Sequence, residues 1–322
     1  MDTLKDIKEM SVDIIIPTYR PDHKFDLLMK RLKKQTIQPR HIFIINTIPN
    51  SLNTEEGRKT QTEYMHNYVQ SDQISVTHIG QADFNHGATR AHGASMSNAD
   101  FIMFMTQDAI PVDEYLIEEL LRPFSEPTIG ATYARQMALP NANEIETFTR
   151  TYNYPLNSRI KSKDDIPLLG IKTFFCSDVC AVYRKTAYDA LGGFVKKTIF
   201  NEDMIFASKL IHNDYKVAYV AEAKVYHSHS YSYRQQFTRN FDLGVSHAQY
   251  PEVFGTIKSE SEGIAMVKKA IKHLCKRHQY IKVIDLVFES GFKYLGYFFG
   301  KRYEKLPKNL VLKWTMNKGY WK

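Results

Sequence analysis

Long apolar runs are missing from this chain. No stretch of about 18 uncharged apolar residues occurs, so a membrane-spanning helix is not expected. Cysteine is scarce too: Cys176, Cys180 and Cys275 in 322 residues make no disulfide framework and show no zinc-type pairing. Cys176 and Cys180 read instead as small buried residues of a strand. Met1 to Met10 is acidic, basic and polar by turns, unlike a secretory signal, and a cytoplasmic location is expected. No repeat or low-complexity tract is visible. Nor does a Gly-x-Gly-x-x-Gly follow the first apolar run, which argues against a Rossmann dehydrogenase.

Apolar residues make up 43% of the chain and aromatics 13%, ample for a packed core in one large α/β domain plus an appendage, or in two small domains. The net charge of +8 is unevenly placed. From Gly263 to Lys322 there are 14 Lys/Arg and 3 Asp/Glu, a net +11, whereas the preceding 262 residues carry 29 basic and 32 acidic groups, a net −3. The cationic character therefore belongs to the tail. That argues against a nucleic-acid-binding core and for a locally cationic appendage.

Val12 to Ile16 is apolar apart from Asp13 and reads as a first strand ended by Pro17. Phe25, Leu28, Met29 and Leu32 give helical spacing within Pro21 to Gln35, and Ile42–Ile45 and Ile74–Ile79 read as further strands. A small-residue helix over Gly87–Asn98 leads into Phe101–Met105, five consecutive apolar residues that suit a strand covered on both faces. This alternation predicts a doubly wound, mainly parallel α/β sheet. The pattern over Gly130–Gly170 is less regular, with loops read at Arg135–Asn143 and Asn157–Pro167. A strand over Phe174–Tyr183, a helix through Tyr188, a Gly192-Gly193 turn, a helix over Asn201–Ile211 and a strand over Lys216–Ala221 follow. In the tail, Val267, Ile271 and Leu274 mark a helix face, and Tyr294, Tyr297, Phe298 and Phe299 cluster among lysines. Such a basic, aromatic helix fits an anionic membrane surface, a second subunit or plain packing on the main domain.

Phe101–Met105 ends in Thr106-Gln107-Asp108, and Pro111 is read as closing off regular pairing. Open α/β sheets bind ligands at the carboxyl ends of their strands, so Asp108 sits where a carboxylate can meet a metal or a phosphate. Capping a helix that starts near Val112 is the structural alternative.

Val12-Asp-Ile-Ile-Ile-Pro-Thr-Tyr-Arg-Pro21, Phe84-Asn-His-Gly-Ala-Thr-Arg90, Met105-Thr-Gln-Asp-Ala-Ile-Pro111, Asn201-Glu-Asp203 and Val225-Tyr-His-Ser-His-Ser-Tyr231 come in that order. Together they resemble family-2 inverting glycosyltransferases of the GT-A fold. The nearer resemblance is to bacterial rhamnosyltransferases that build cell-wall or O-antigen polysaccharide from dTDP-rhamnose. The tail sequence Lys293-Tyr-Leu-Gly-Tyr-Phe-Phe-Gly-Lys-Arg-Tyr303 is similar to that of streptococcal rhamnan-assembling members.

The resemblance implies a GT-A catalytic domain over residues 1–260 and a basic helical tail over 261–322. It implies a divalent cation, Mn²⁺ or Mg²⁺, on Asp108, completed by His227 as first choice and His229 as second, since neutral imidazole suits such a cation. The family often has a second Asp where this chain has Ala109. Inversion needs a base to take the acceptor proton; the resemblance puts it on the Glu202-Asp203 pair, with Asp203 as base and Glu202 orienting the acceptor, or the reverse. Pro17, Thr18, Arg20 and Asn46 are expected at the nucleotide. Asn85, His86, Gly87, Arg90, Gln107, Arg234 and Arg239 are expected around the donor and its diphosphate. The implied partners are dTDP-rhamnose, a lipid-linked glycan acceptor and a membrane surface met through the tail at the inner face of the plasma membrane. A homodimer is the other contact the tail could serve, and no nucleic acid is implied. Another nucleotide sugar, or a non-catalytic scaffold role, stays open.

Overall fold

A computed structural model describes residues 7, 9–49, 55–68, 72–229, 231–255 and 260–321. The opening residues 1–6 and Ser230 of the histidine motif lie outside them. Among the described residues nine strands form one sheet: β1 (Val12–Tyr19), β2 (His41–Ile48), β3 (Ile74–Gly80), β4 (Phe101–Met105), β5 (Ile110–Pro111), β6 (Ile129–Met137), β7 (Arg159–Lys161), β8 (Cys180–Arg184) and β9 (Lys216–Tyr226). Their order is β3-β2-β1-β4-β8-β6-β9-β5, with β7 also on β9. Helices of six residues or more are α1 (His23–Leu32), α2 (Glu55–His66), α3 (His86–Ser95), α4 (Leu116–Leu121), α5 (Glu144–Asn153) and α6 (Lys185–Ala190). Beyond them come α7 (Glu202–His212), α8 (Tyr233–Gln249), α9 (Glu260–Lys276), α10 (Tyr280–Gly300) and α11 (Lys308–Trp314).

The sheet core follows from its strands. Ile14, Ile16, Met103 and Met105 pack on one face, Ile15, Ile102 and Phe104 on the other, all essentially buried. A period of two thus loads both faces, as a helix-covered parallel sheet requires. β3, β2, β1 and β4 pair in parallel, giving the doubly wound α/β arrangement expected from the sequence. β8 then enters antiparallel between β4 and β6. Asp13, buried within β1, is held by a two-pronged bond from Arg40 (3.0 and 2.5 Å) and by the Ser97 hydroxyl at 2.6 Å.

Two proline expectations need correction. Pro17 does not end β1, which runs to Tyr19 paired with β2. The β1–β4 pairing stops at Ile15↔Phe104, so the missing Pro17 N–H costs no bond on that side. Pro111 does not end pairing either: it lies in β5, an edge strand antiparallel to β9. Asp108 caps nothing, because the next helix begins only at Leu116. The supposed loop at Arg135 begins inside β6, and Glu144–Asn153 is helical.

The tail helices are packed closely on the rest. Added Cβ atoms at Gly296 and Gly300 of α10 would stand 2.2 and 2.1 Å from the Phe237 and Phe241 carbonyl oxygens of α8. Only glycine lets the two backbones come so near. The α9 helix meets α5 through Ala270, Leu274 and Ile145, and His273 and Arg277 both reach Glu144, at 2.9 and 3.3 Å. A similar tightness governs α3. A Cβ on Gly87 would lie 1.9 Å from the Val195 carbonyl oxygen. Gly87→Ala is therefore expected to lower stability by about 1–3 kcal/mol, through overpacking, in denaturant titration.

Candidate active site

A cleft of about 1340 Å³ opens beyond the carboxyl ends of β1, β2 and β4, and His86, Arg90, Glu202, Asp203, His227 and His229 all line it. Its carboxylate end is built by the turn before α7. Asn201 sits in the left-handed region (φ 65°), a conformation asparagine tolerates, and its side chain donates to the Ser246 hydroxyl. That turn places Glu202 and Asp203 in the first turn of α7.

The two acids have different surroundings. Glu202 is buried, and its Oε1 accepts the Arg90 guanidinium at 2.9 Å with His86 Nδ1 at 4.0 Å. Arg90 also reaches Asp178 at 3.5 Å, and Asp178 accepts the Tyr183 hydroxyl at 2.7 Å. Asp203 is half-exposed to the cleft. Its oxygens each accept one backbone N–H, from Asp178 at 3.1 Å and Met204 at 2.7 Å. Burial, with Glu202 beside it, pushes the Asp203 carboxyl up to about 7. Burial and Asp203 likewise raise Asp178 far above the ordinary carboxyl range. Asp178 and Asp203, packed around the Arg90 guanidinium, thus hold protons that isolated acids would release.

At the other end, the antiparallel pairing of β5 with β9 (Ile110↔Tyr226) brings the turn after β4 alongside the residues after β9. Asp108, His227 and His229 converge there, with one ligand atom from each within 4.8 Å of the others. The two Nε2 atoms are 2.8 Å apart, and stand 3.7 Å (His227) and 3.4 Å (His229) from the Asp108 oxygens. His227 Nδ1 lies 3.0 Å from Gln136 Oε1, which also accepts from Arg150 at 2.5 Å, while Gln136 Nε2 donates to Ser177. An amide oxygen can only accept, so His227 carries its proton on Nδ1 and turns the Nε2 lone pair inward. Burial and the neighbouring cations hold His227 well below the usual imidazole range, hence neutral. One carboxylate and two imidazoles, with a tautomer fixed from behind, fit a divalent cation.

The remaining expected residues fall into groups. Thr18 donates to Asn46 at 3.0 Å, and Asn46 meets His78 at 3.0 Å, a polar row across β1, β2 and β3. Gln107 clamps the Tyr19 backbone through both its amide atoms (2.7 and 3.0 Å), so it joins the ends of β4 and β1. Pro17 is inside β1 and Arg20, at positive φ, stacks on Tyr19. Asn85 caps α3 and ties it to Thr198. Arg234 is exposed and does not line the cleft, whereas Arg239 does, stacked on Phe200 (4.8 Å) and Tyr231 (5.9 Å). No local sequence signal marks Gln136, Arg150 or Asp178, which reach the site from β6, α5 and the loop before β8. Thr47 and Thr106 line the cleft with buried hydroxyls that have no hydrogen-bond partner within the described residues.

Residues 13–192 match the family model described as glycosyl transferase family 2. The chain is 38% identical over 316 residues to the O-antigen chain rhamnosyltransferase RfbN of Salmonella typhimurium, covering 97% of this chain and 96% of that protein. It is 37% identical over 316 residues to the O-antigen chain rhamnosyltransferase WbaN of Salmonella anatum, at the same coverage. Among solved structures, the mannosyltransferase PcManGT from Pyrobaculum calidifontis, in complex with GDP-Man and Mn²⁺, superposes with TM-score 0.52 at 12% identity, over 97% of this chain and 84% of that one. S. aureus TarS residues 1–349 in complex with UDP-GlcNAc gives TM-score 0.52 at 12% identity, over 92% of each chain. At such identities these two structures speak for the fold alone.

Proposed function

The chain belongs to glycosyl transferase family 2, with a GT-A fold, and from that premise we propose that it moves L-rhamnose from dTDP-β-L-rhamnose to a hydroxyl of a lipid-linked polysaccharide intermediate, with inversion. The observation that carries the chemistry is a single cleft lined by a carboxyl that titrates near neutrality and by two imidazoles facing Asp108. In this reading Asp203 accepts the acceptor hydroxyl proton as the new bond forms. Glu202, buried on Arg90, braces that carboxyl from behind instead of orienting the acceptor. Arg90 is accordingly assigned to Glu202 and Asp178, and Arg239, already facing the cleft, to the donor diphosphate.

Asp108, His227 and His229 would hold the divalent cation. When bound, it supplies positive charge against the departing diphosphate. Ala109, where many relatives carry a second acid, is fully buried in the core, so its side chain faces away from this cluster. The second imidazole makes up the ligand count, which favours an active enzyme over a scaffold. Substituting Gln136 by Leu removes the acceptor that fixes His227. Mn²⁺ affinity of the purified protein, read by electron paramagnetic resonance titration, is expected to fall about 10–100-fold.

The reaction itself is tested with the purified full chain, lipid-linked acceptors and a donor panel of dTDP-rhamnose, UDP-glucose, UDP-GlcNAc and GDP-mannose, with products read by mass spectrometry. Transfer of a deoxyhexose from dTDP-rhamnose is expected. Transfer from another donor alone would replace the rhamnose assignment, and no transfer from any would favour the scaffold.

A further inference from the structure

Helix α10 has two faces of unlike character. Asp285, Glu289 and Lys293, one turn apart, line the cleft, and Gly296 and Gly300 press on α8. About a third of the way round the helix, Ile281 (84% exposed), Ile284 (59%), Phe288 (58%) and Leu295 (46%) form a stripe open to solvent, widened by Val287, Phe292 and Tyr294. These positions recur every three or four residues over some 14 residues, which makes one continuous apolar face of the kind that marks an interaction surface. Exposed cations flank it: Lys276 and Arg277 before the helix, Lys301, Arg302 and Lys305 after it.

We propose that this face of α10 seats the protein flat on an anionic lipid surface and that the same helix thereby sets the mouth of the catalytic cleft at the headgroups. Charge complementarity selects that occupant, because the chain from Gly263 onward carries a net +11. Spanning is excluded by Asp285, Glu289 and Lys293 on the inner face, and no described helix is long and apolar enough to cross a membrane. The cleft-lining residues lie on the adjoining flank of the same helix, within one helix diameter (about 10 Å) of the apolar face, so a lipid-linked acceptor need rise no further than that to reach the cleft. The catalytic benefit rests on the lipid-linked acceptor proposed for the reaction, whereas the seat itself does not.

Cosedimentation of the full chain with phosphatidylcholine vesicles, alone and mixed with phosphatidylglycerol, tests the seat without any sugar. Binding to the anionic vesicles, weakened at high salt, is expected. The double variant Ile284→Glu/Phe288→Glu should lose it by about tenfold or more. Because both side chains are exposed, the variant should keep its circular dichroism and its transfer to a lipid-free acceptor analogue, while losing transfer to a vesicle-embedded one. Failure of the wild type to bind anionic vesicles, or unchanged binding by the variant, overturns the proposal. So does a wild-type dimer in analytical ultracentrifugation that the variant dissolves, in the absence of vesicle binding. Vesicle binding without sugar transfer would retain the seat and remove only the rhamnosyl-transfer reaction.

Discussion

Asp203→Asn is expected to cut turnover by about 10²–10⁴-fold while leaving the donor dissociation constant within about twofold. The substitution keeps shape and removes the one carboxyl that is half-exposed in the cleft and titrates near neutrality. The pH dependence has a definite sign. As the proposed base, Asp203 would work in its deprotonated form, and burial beside Glu202 raises its pKa to about 7. The log of kcat/KM should therefore fall with unit slope as pH drops below about 7 and level off above it. In Asp203→Asn that limb should vanish from the residual activity. Isothermal titration with donor and initial rates across pH measure both. An Asn variant with ordinary turnover would pass the base role to Glu202 or Asp178, against their burial.

Removing the proposed cation should be as damaging. Chelation is expected to abolish transfer, and Asp108→Ala to lower it by about 10³-fold, in line with the several kcal/mol of charge stabilisation that a bound cation provides. Asp108 contributes the anionic member of the cluster, and the two imidazoles that remain would face each other 2.8 Å apart. Between the histidines, His227→Ala should cost more than His229→Ala. His227 is buried and held by Gln136, which Arg150 fixes in turn, whereas His229 is half-buried and stacks on Tyr231. Mn²⁺ binding followed by electron paramagnetic resonance separates lost metal from lost folding. Unchanged Mn²⁺ affinity in Asp108→Ala would remove the carboxylate from the site.

Much of the catalytic half could be read from sequence because its signals are local. The five apolar residues of β4 lead straight into Asp108, and Asn201-Glu-Asp places two acids at a helix start. What escaped is non-local. The β6 strand, Ile-Gly-Ala-Thr-Tyr-Ala-Arg-Gln-Met, has no long apolar run, yet it lies inside the sheet between β8 and β9. Gln136 gains its meaning only there, from a histidine 91 residues away. Arg90 showed the opposite weakness. As a cation beside a helix start it resembled a phosphate clamp, and the three-dimensional neighbours Asp178 and Glu202 claim it instead. Gly87 was expected to admit a ligand, and the group that needs its missing side chain is the Val195 carbonyl. Tail patterning conveyed an amphipathic character, but which face of α10 is open depends on the glycine contacts with α8.

The most direct test of the single-displacement chemistry is the anomeric configuration of the sugar linked to the acceptor, read by the one-bond carbon–proton coupling in NMR of product made from dTDP-β-L-rhamnose. One base carboxyl acting on the acceptor, opposite the departing diphosphate, gives an α-L-rhamnoside. A β-linked product would mean that the configuration was retained, and would contradict Asp203 acting as the base of a single displacement.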